Sequence, residues 1–183
     1  MTTPGLFLQA MKKMCMPTMI VTSSSVMGSS PMDYHGLTIT SMASLSINPR
    51  PLVQFNVRIP SATSTNLWAH NLFAIHFLNP ETSSVSLAQR FAKHGLDGPS
   101  RPFMGLKQGL DYSLYKNNLN NEVELPILEQ VDRILICKKK DAFAVQDHEI
   151  WVGEVVDILN RKEEVTGGVL HCNKKFFQLG DEL

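Results

Sequence analysis

The chain has 183 residues, 43% of them hydrophobic and 19% charged, the balance of a globular protein with room for a buried core. Seventeen Lys and Arg match seventeen Asp and Glu, so no basic surplus recommends nucleic acid as a partner. No apolar run is long enough to span a membrane, and three cysteines without metal-ligand spacing fit a reduced, intracellular protein. The first 32 residues contain no acid but also no Arg. The expected location is therefore the cytoplasm ahead of the mitochondrial matrix.

Residues 6–14 combine good helix formers with apolar positions and stop ahead of Pro17, which predicts a helix. Residues 19–22 read as a short strand, and 23–31 as a Ser/Gly-rich turn. Apolar and polar residues alternate over 37–41, as in a half-buried strand. A proline turn leads to a strand over 52–57. A short helix is expected over 63–70, capped by Ser61 or Thr63, then a strand over 72–78 ended by Asn79-Pro80. Val85, Leu87, Ala88, Phe91 and Ala92 have the spacing of a helix over 81–93. Residues 95–109 are Gly- and Pro-rich and predict a loop, while 112–124 are polar and Asn-rich with no pattern. Residues 134–137 and 149–158 are β-branched-rich strands. The run Lys138-Lys-Lys140 reads as a solvated strand end or turn, and 176–179 closes the chain. Many strands, few helices and no βαβ alternation predict one mainly β domain, a closed or partly closed barrel.

The segment from Leu37 to Val57 carries the chemistry. Thr38, Thr40, Ser41, Ser44 and Ser46 concentrate hydroxyls there, and with the backbone amides of Met42 and Ala43 they suit the edge of a flat, polar ligand such as a flavin ring. Plain sheet surface accounts for the same hydroxyls in the absence of a ligand. Within the next strand Phe55 and Asn56 adjoin; the amide needs partners, either a flavin or a neighbouring strand. Arg58 suits either a phosphate or the surface. Ser61-Ala-Thr63 places hydroxyls and free amides at a helix start, which suits a phosphate. His148 follows Asp147 at the head of a strand and is the sharpest single candidate for function, against a strand-start histidine bonded to backbone. Of the other histidines, His35 is a rim candidate, His76 faces polar surroundings, His171 lies on the closing segment, and His70 and His94 sit at exposed helix ends. No histidine pair has zinc spacing, and no Gly-rich phosphate loop is present, so nicotinamide would not be held by a Rossmann fold.

These pieces stand in a recognisable order: Gly36-Leu-Thr-Ile-Thr-Ser41, Ser44-Leu-Ser-Ile-Asn-Pro49, Pro51-Leu-Val53, Ser61-Ala-Thr63, Phe73 to Leu78, Ser86 to Ala92, Asp147-His-Glu-Ile-Trp-Val-Gly-Glu-Val155 and Leu170 to Phe177. From about Phe7 to Gly180 the chain resembles the flavin reductase family of FMN-binding split barrels. The resemblance implies a split β-barrel that binds FMN and uses NAD(P)H, passing a hydride from nicotinamide to flavin. It implies that Thr38, Thr40, Ser41, Met42, Ala43, Ser44, Ser46, Phe55 and Asn56 hold the ring, with Ser61 and Thr63 on the phosphate. It places His148 beside the flavin and nicotinamide as the catalytic residue, with help from 86–92. It further implies a homodimer with each flavin near the interface, and leaves any partner oxygenase unnamed. Two departures stand out: Arg50 is inserted between the prolines of the turn, and Gln146 replaces the glycine often found before Asp-His. A same-fold flavoprotein oxidase or oxygenase, or a non-enzymatic interaction protein retaining the barrel, remain the alternative readings.

Overall fold

A computed structural model describes residues 2–24, 30–93, 101–116, 124–161 and 167–182. Its elements in chain order are α1 (Thr3–Met11), β1 (Met16–Pro17), β2 (Met19–Ser23), β3 (His35–Ile39), β4 (Ala43–Ser46) and β5 (Leu52–Arg58). Next come α2 (Ala62–His70), β6 (Leu72–Phe77), α3 (Thr82–Ala92), β7 (Tyr112–Lys116) and β8 (Glu124–Leu128). The chain ends with β9 (Arg133–Val145), β10 (His148–Asn160), β11 (Leu170–Cys172) and β12 (Lys175–Phe177).

Seven strands form one sheet in the order β3-β2-β6-β9-β10-β5-β4, every pairing antiparallel. Its two edge strands, β3 and β4, are consecutive in the chain and joined only by Thr40, Ser41 and Met42. So short a link forces the sheet to curl until its edges approach, the split barrel expected from the sequence. The Asn56 N–H on β5 donates to Ser41 Oγ at 2.9 Å, a bond from the edge link to the second strand from the other edge. Two smaller sheets, β1-β11-β12 and β7-β8, complete the strands.

Burial follows the two-residue strand period. Val21, Leu37, Phe55, Phe73, Ile75 and Trp151 form one cluster with Leu67 of α2. Ile20, Ala74, Ile134 and Ile136 join a second with Phe91 of α3 and Leu125 and Ile127 of β8. The central strands β2 and β6 are thus covered on both sides, which explains their near-continuous apolar sequence. Gly36 permits the approach of α3, since a Cβ there would lie 2.7 Å from both Phe91 Cε1 and Val21 O.

Several boundaries differ from expectation. Residues 112–116, patternless in sequence, form β7, and β8 was not foreseen at all; Thr22 Oγ1 donates to Pro126 O at 2.6 Å and fastens β8 across β2. The lysine run lies inside β9, which continues to Val145. His76 is fully buried: its Nδ1 lies 2.9 Å from Ile20 O, and the Leu128 N–H donates to Nε2 at 3.1 Å. These partners fix a neutral Nδ1–H tautomer, and burial lowers its pKa to about 4. The expected turn over 23–31 and loop over 95–109, with His94, fall partly or wholly outside the described residues.

Candidate functional site

The outer surface of the β5–β10 seam gathers the most functional chemistry. Register sets His148 opposite Arg58, Ile150 opposite Asn56 and Val152 opposite Gln54. The alternate pairs, Trp151 with Phe55 and Gly153 with Val53, carry buried residues and point into the barrel. Asn56 and Arg58 are exposed, and the His148 side chain retains 45% of its surface.

His148 follows a two-residue hairpin, Gln146-Asp147, in which Gln146 adopts φ 55. That left-handed backbone is what a glycine would supply without strain. His148 Nδ1 lies 2.9 Å from Asp147 Oδ1, and Arg58 Nε lies 3.8 Å from Asp147 Oδ2. The hydrogen bond from His148, reinforced more weakly by Arg58, holds the Asp147 carboxyl below the ordinary carboxylate range. In the neutral ring this bond places the proton on Nδ1 and leaves Nε2 as an acceptor. The Ile59 N–H donates to Asp147 O at 2.9 Å, tying this turn to the segment that enters α2.

Ser61 is the N-cap of α2, with Oγ accepting from Ser64 N–H at 3.3 Å. The amides of Ala62 and Thr63 open the helix, where backbone N–H groups lack intrahelical acceptors. Together with Arg58 this is donor chemistry suited to a phosphate. Sequence reasoning missed the residue that anchors the helix. Glu149 accepts from Trp68 Nε1 at 3.1 Å, from Trp151 Nε1 at 3.0 Å, and from Ser64 Oγ. One carboxylate thus pins α2 to β10; a Glu placed directly before Ile150 and Trp151 was the available signal.

The hydroxyl-rich segment divides. Ser41 bonds the Asn56 backbone, Ser46 Oγ donates to Asn48 O at 3.0 Å, and Ala43 and Ser44 are exposed on β4. Thr40 and Met42 are half-buried in the β3–β4 link. Two of the expected ring contacts have partners within the protein. Thr38 Oγ1 donates to Ala88 O at 2.6 Å, so its hydroxyl straps α3 to β3 and is occupied. Phe55 is fully buried with its ring edge-on to Phe73 at 5.4 Å, so its side chain belongs to the core and cannot face a ring outside the barrel. Thr63 is 5% exposed, leaving its backbone amide as its available donor. Arg50, the insertion in the proline turn, donates Nη1 to Glu154 Oε1 at 2.7 Å and braces that turn on β10. His171 packs against Phe176 on β11, in the sheet with β1.

A cavity of about 630 Å³ lies elsewhere, between α3 and residues 101–111. Ser83, Ser86, Arg90, Lys93 and Arg101 are on its walls, and Arg90 Nη2 donates to Met104 O at 2.7 Å. The β5–β10 seam combines a histidine–carboxylate pair with a helix start, which this groove does not. Among the described residues no three His, Cys, Asp or Glu side chains are placed to share a metal ion, and no helix is long and apolar enough to cross a membrane.

A sequence profile for the flavin reductase like domain matches residues 11–180. The chain belongs to this family of oxidoreductases. Solved structures share the fold. A flavin reductase domain protein from Arthrobacter sp. FB24 superposes with a TM-score of 0.75 at 22% identity, covering 98% of this chain and 97% of its own. The flavin reductase HpaC, determined with NADP+, gives 0.73 at 24% identity, with 97% and 98% covered. The NADH:FAD oxidoreductase SgcE6 of Streptomyces globisporus C-1027, determined with NAD and FAD fragments, gives 0.72 at 21% identity, with 97% and 93% covered.

Proposed function

We propose that this flavin reductase family member binds FMN on the outer face of the β5–β10 seam and reduces it with NADH or NADPH. The observation that carries the reading is the convergence, at one end of that seam, of the Asp147–His148 pair, Arg58 and the first turn of α2. Flavin supplies the hydride-accepting chemistry when bound; the chain supplies position.

Arg58, Ser61 and the amides of Ala62 and Thr63 hold the phosphate. Ser44, the backbone of Met42 and Ala43, and the Asn56 side chain meet the edge of the ring. Ser41 acts from behind, fixing the distance between the β3–β4 link and β5 through its bond to Asn56 N–H. His148, oriented by Asp147, presents Nε2 as an acceptor for the carboxamide of a nicotinamide and so aligns the donor. No general acid is required for a hydride to arrive, which is why a lone oriented imidazole suffices. The basic groove along α3 offers a second place for an anionic group.

The same face supports assembly as a homodimer. Phe143 lies opposite Ile150, and Val145 opposite His148. Phe143 is 49% and Val145 46% exposed, so an apolar strip adjoins the proposed site. A second copy packed there would close the seam over the bound rings and exclude water. The direct test is binding: FMN should bind more tightly than riboflavin, and Arg58→Ala with Ser61→Ala should weaken FMN far more than riboflavin. Equal affinity for the two flavins in the wild-type protein would remove the phosphate assignment.

A further inference from the structure

Outside the seam the chain carries a second arrangement of reactive side chains, at the junction of its two ends. Strand β1 pairs antiparallel with β11, Met16 opposite His171 and Pro17 opposite Leu170. The Thr18 N–H donates to Val169 O at 2.7 Å, so Thr18 and Val169 form a hydrogen-bonded pair. Antiparallel pairs alternate between hydrogen-bonded and non-hydrogen-bonded kinds. Pro17 with Leu170 is therefore non-hydrogen-bonded, consistent with a residue that has no N–H. Met16 with His171 is hydrogen-bonded and ends this ladder; Cys15 adjoins Met16 on one segment and Cys172 adjoins His171 on the other.

A hydrogen-bonded pair holds its Cα atoms about 5.5 Å apart, so the two cysteines directly beside it are within reach of the roughly 4.4–6.8 Å that a disulfide spans. The contact is supported independently, because a hydrogen bond involving Cys15 raises the Cys172 thiol above its ordinary range. The surroundings are held in place. Asn173 N–H donates to Lys12 O at 3.1 Å, Cys172 Sγ donates to the same carbonyl at 3.6 Å, and Asn173 and Lys174, at φ 46 and φ 63, make the tight turn between β11 and β12. Cys15 is exposed and Cys172 half-buried, whereas Cys137, the third and last cysteine, is fully buried and cannot compete.

We propose that Cys15 and Cys172 are a redox modification site, closing to a cross-strand disulfide that fastens the N-terminal segment to the C-terminal hairpin. With hydrogen peroxide as oxidant, the Cys15 thiolate attacks one oxygen, the O–O bond breaks, and the departing hydroxide takes a proton to become water. Cys15 is then a sulfenic acid. The Cys172 thiolate attacks the Cys15 sulfur, the S–S bond forms, the S–O bond breaks, and a second hydroxide leaves and is protonated. Two thiols and one hydrogen peroxide give one disulfide and two waters; the sulfurs lose two electrons and the peroxide gains them. The closed loop encloses most of the chain, so the bond restricts the unfolded state strongly. It also secures α1, which buries none of its residues.

The experiment treats the reduced protein with hydrogen peroxide, counts free thiols after denaturation, maps cross-links by peptide mass spectrometry without reduction, and compares Tm before and after. We expect two of the three thiols to disappear, one intramolecular peptide joining Cys15 to Cys172, and a Tm raised by several degrees that dithiothreitol restores. Cys15→Ser and Cys172→Ala, examined separately because the exposed position tolerates change more easily, should each abolish both the cross-link and the Tm shift. Three free thiols after treatment, Cys15 oxidised without a cross-link, a disulfide only between two molecules, or a cross-link with unchanged Tm would each overturn the proposal.

Discussion

At the scale of single residues, the sharpest expectation concerns His148. Its 2.9 Å contact with Asp147 fixes which nitrogen points away, and the role proposed for the ring is alignment. His148→Ala should slow reduction of bound flavin by on the order of 10²-fold while leaving FMN affinity largely intact. Stopped-flow reduction with NADH and with NADPH measures this, and a wild-type rate with both donors would show that the ring has no part in the reaction. Gln146 offers a test with the opposite sign. Its φ of 55 is strained for a residue with a side chain, so Gln146→Gly should stabilise the protein by about 1 kcal/mol in denaturant unfolding. The histidine was legible because a strand-start Asp-His pair is a compact signal. The burial of Phe55 and the bond of Thr38 to α3 were not legible. Both depend on which face of a strand is covered, and adjacent residues such as Phe55 and Asn56 differ in that by one step of the pleat.

Among elements, α2 depends on a single carboxylate. Glu149→Ala removes three hydrogen bonds and leaves the indole N–H of buried Trp151 without its partner. It should cost about 3 kcal/mol in stability and weaken FMN binding as well, because the helix start moves with the helix. The helix and its cap were readable from Ser61 and its spacing. The clamp was not, since Glu149 and Ser64 meet only after β10 has folded beside α2. The joint between β2, β6 and β8 rests on His76. Folding lowers its pKa from 6.5 to about 4, so between those values the unfolded chain binds a proton that the native state excludes. Its contribution is complete above pH 6.5 and is lost as pH falls toward about 4, by about 3 kcal/mol in total. Denaturant midpoints between pH 7 and pH 4.5 should fall accordingly, while nitrogen NMR should find His76 neutral and protonated on Nδ1 at pH 5. A charged His76 at pH 5 in the folded protein would contradict this. Strand β7 escaped the sequence reading because the Asn-rich run that follows it hides its short alternation, and β8 because Pro126 at its centre argues against a strand.

For the whole molecule, the curl of the seven-stranded sheet was foreseeable from many strands without βαβ units, and the ordered motifs pointed to the family. The size of the β9–β10 hairpin was not, because three consecutive lysines in β9 read as a strand end or turn. That hairpin displays the apolar strip beside His148, and it underlies the proposed dimer. Phe143→Glu should convert the protein to a monomer in sedimentation at micromolar concentration and reduce its flavin occupancy. The wild-type protein sedimenting as a fully flavin-loaded monomer would rule out a site completed by a second copy. The central step of the proposed function is the passage of electrons from a nicotinamide to FMN held on this chain. The most direct measurement is the anaerobic absorption spectrum of the FMN-loaded protein during stepwise addition of NADH and, separately, NADPH. Bleaching of the flavin band by one equivalent of at least one donor is the predicted result; a band unchanged by excess of both would contradict it.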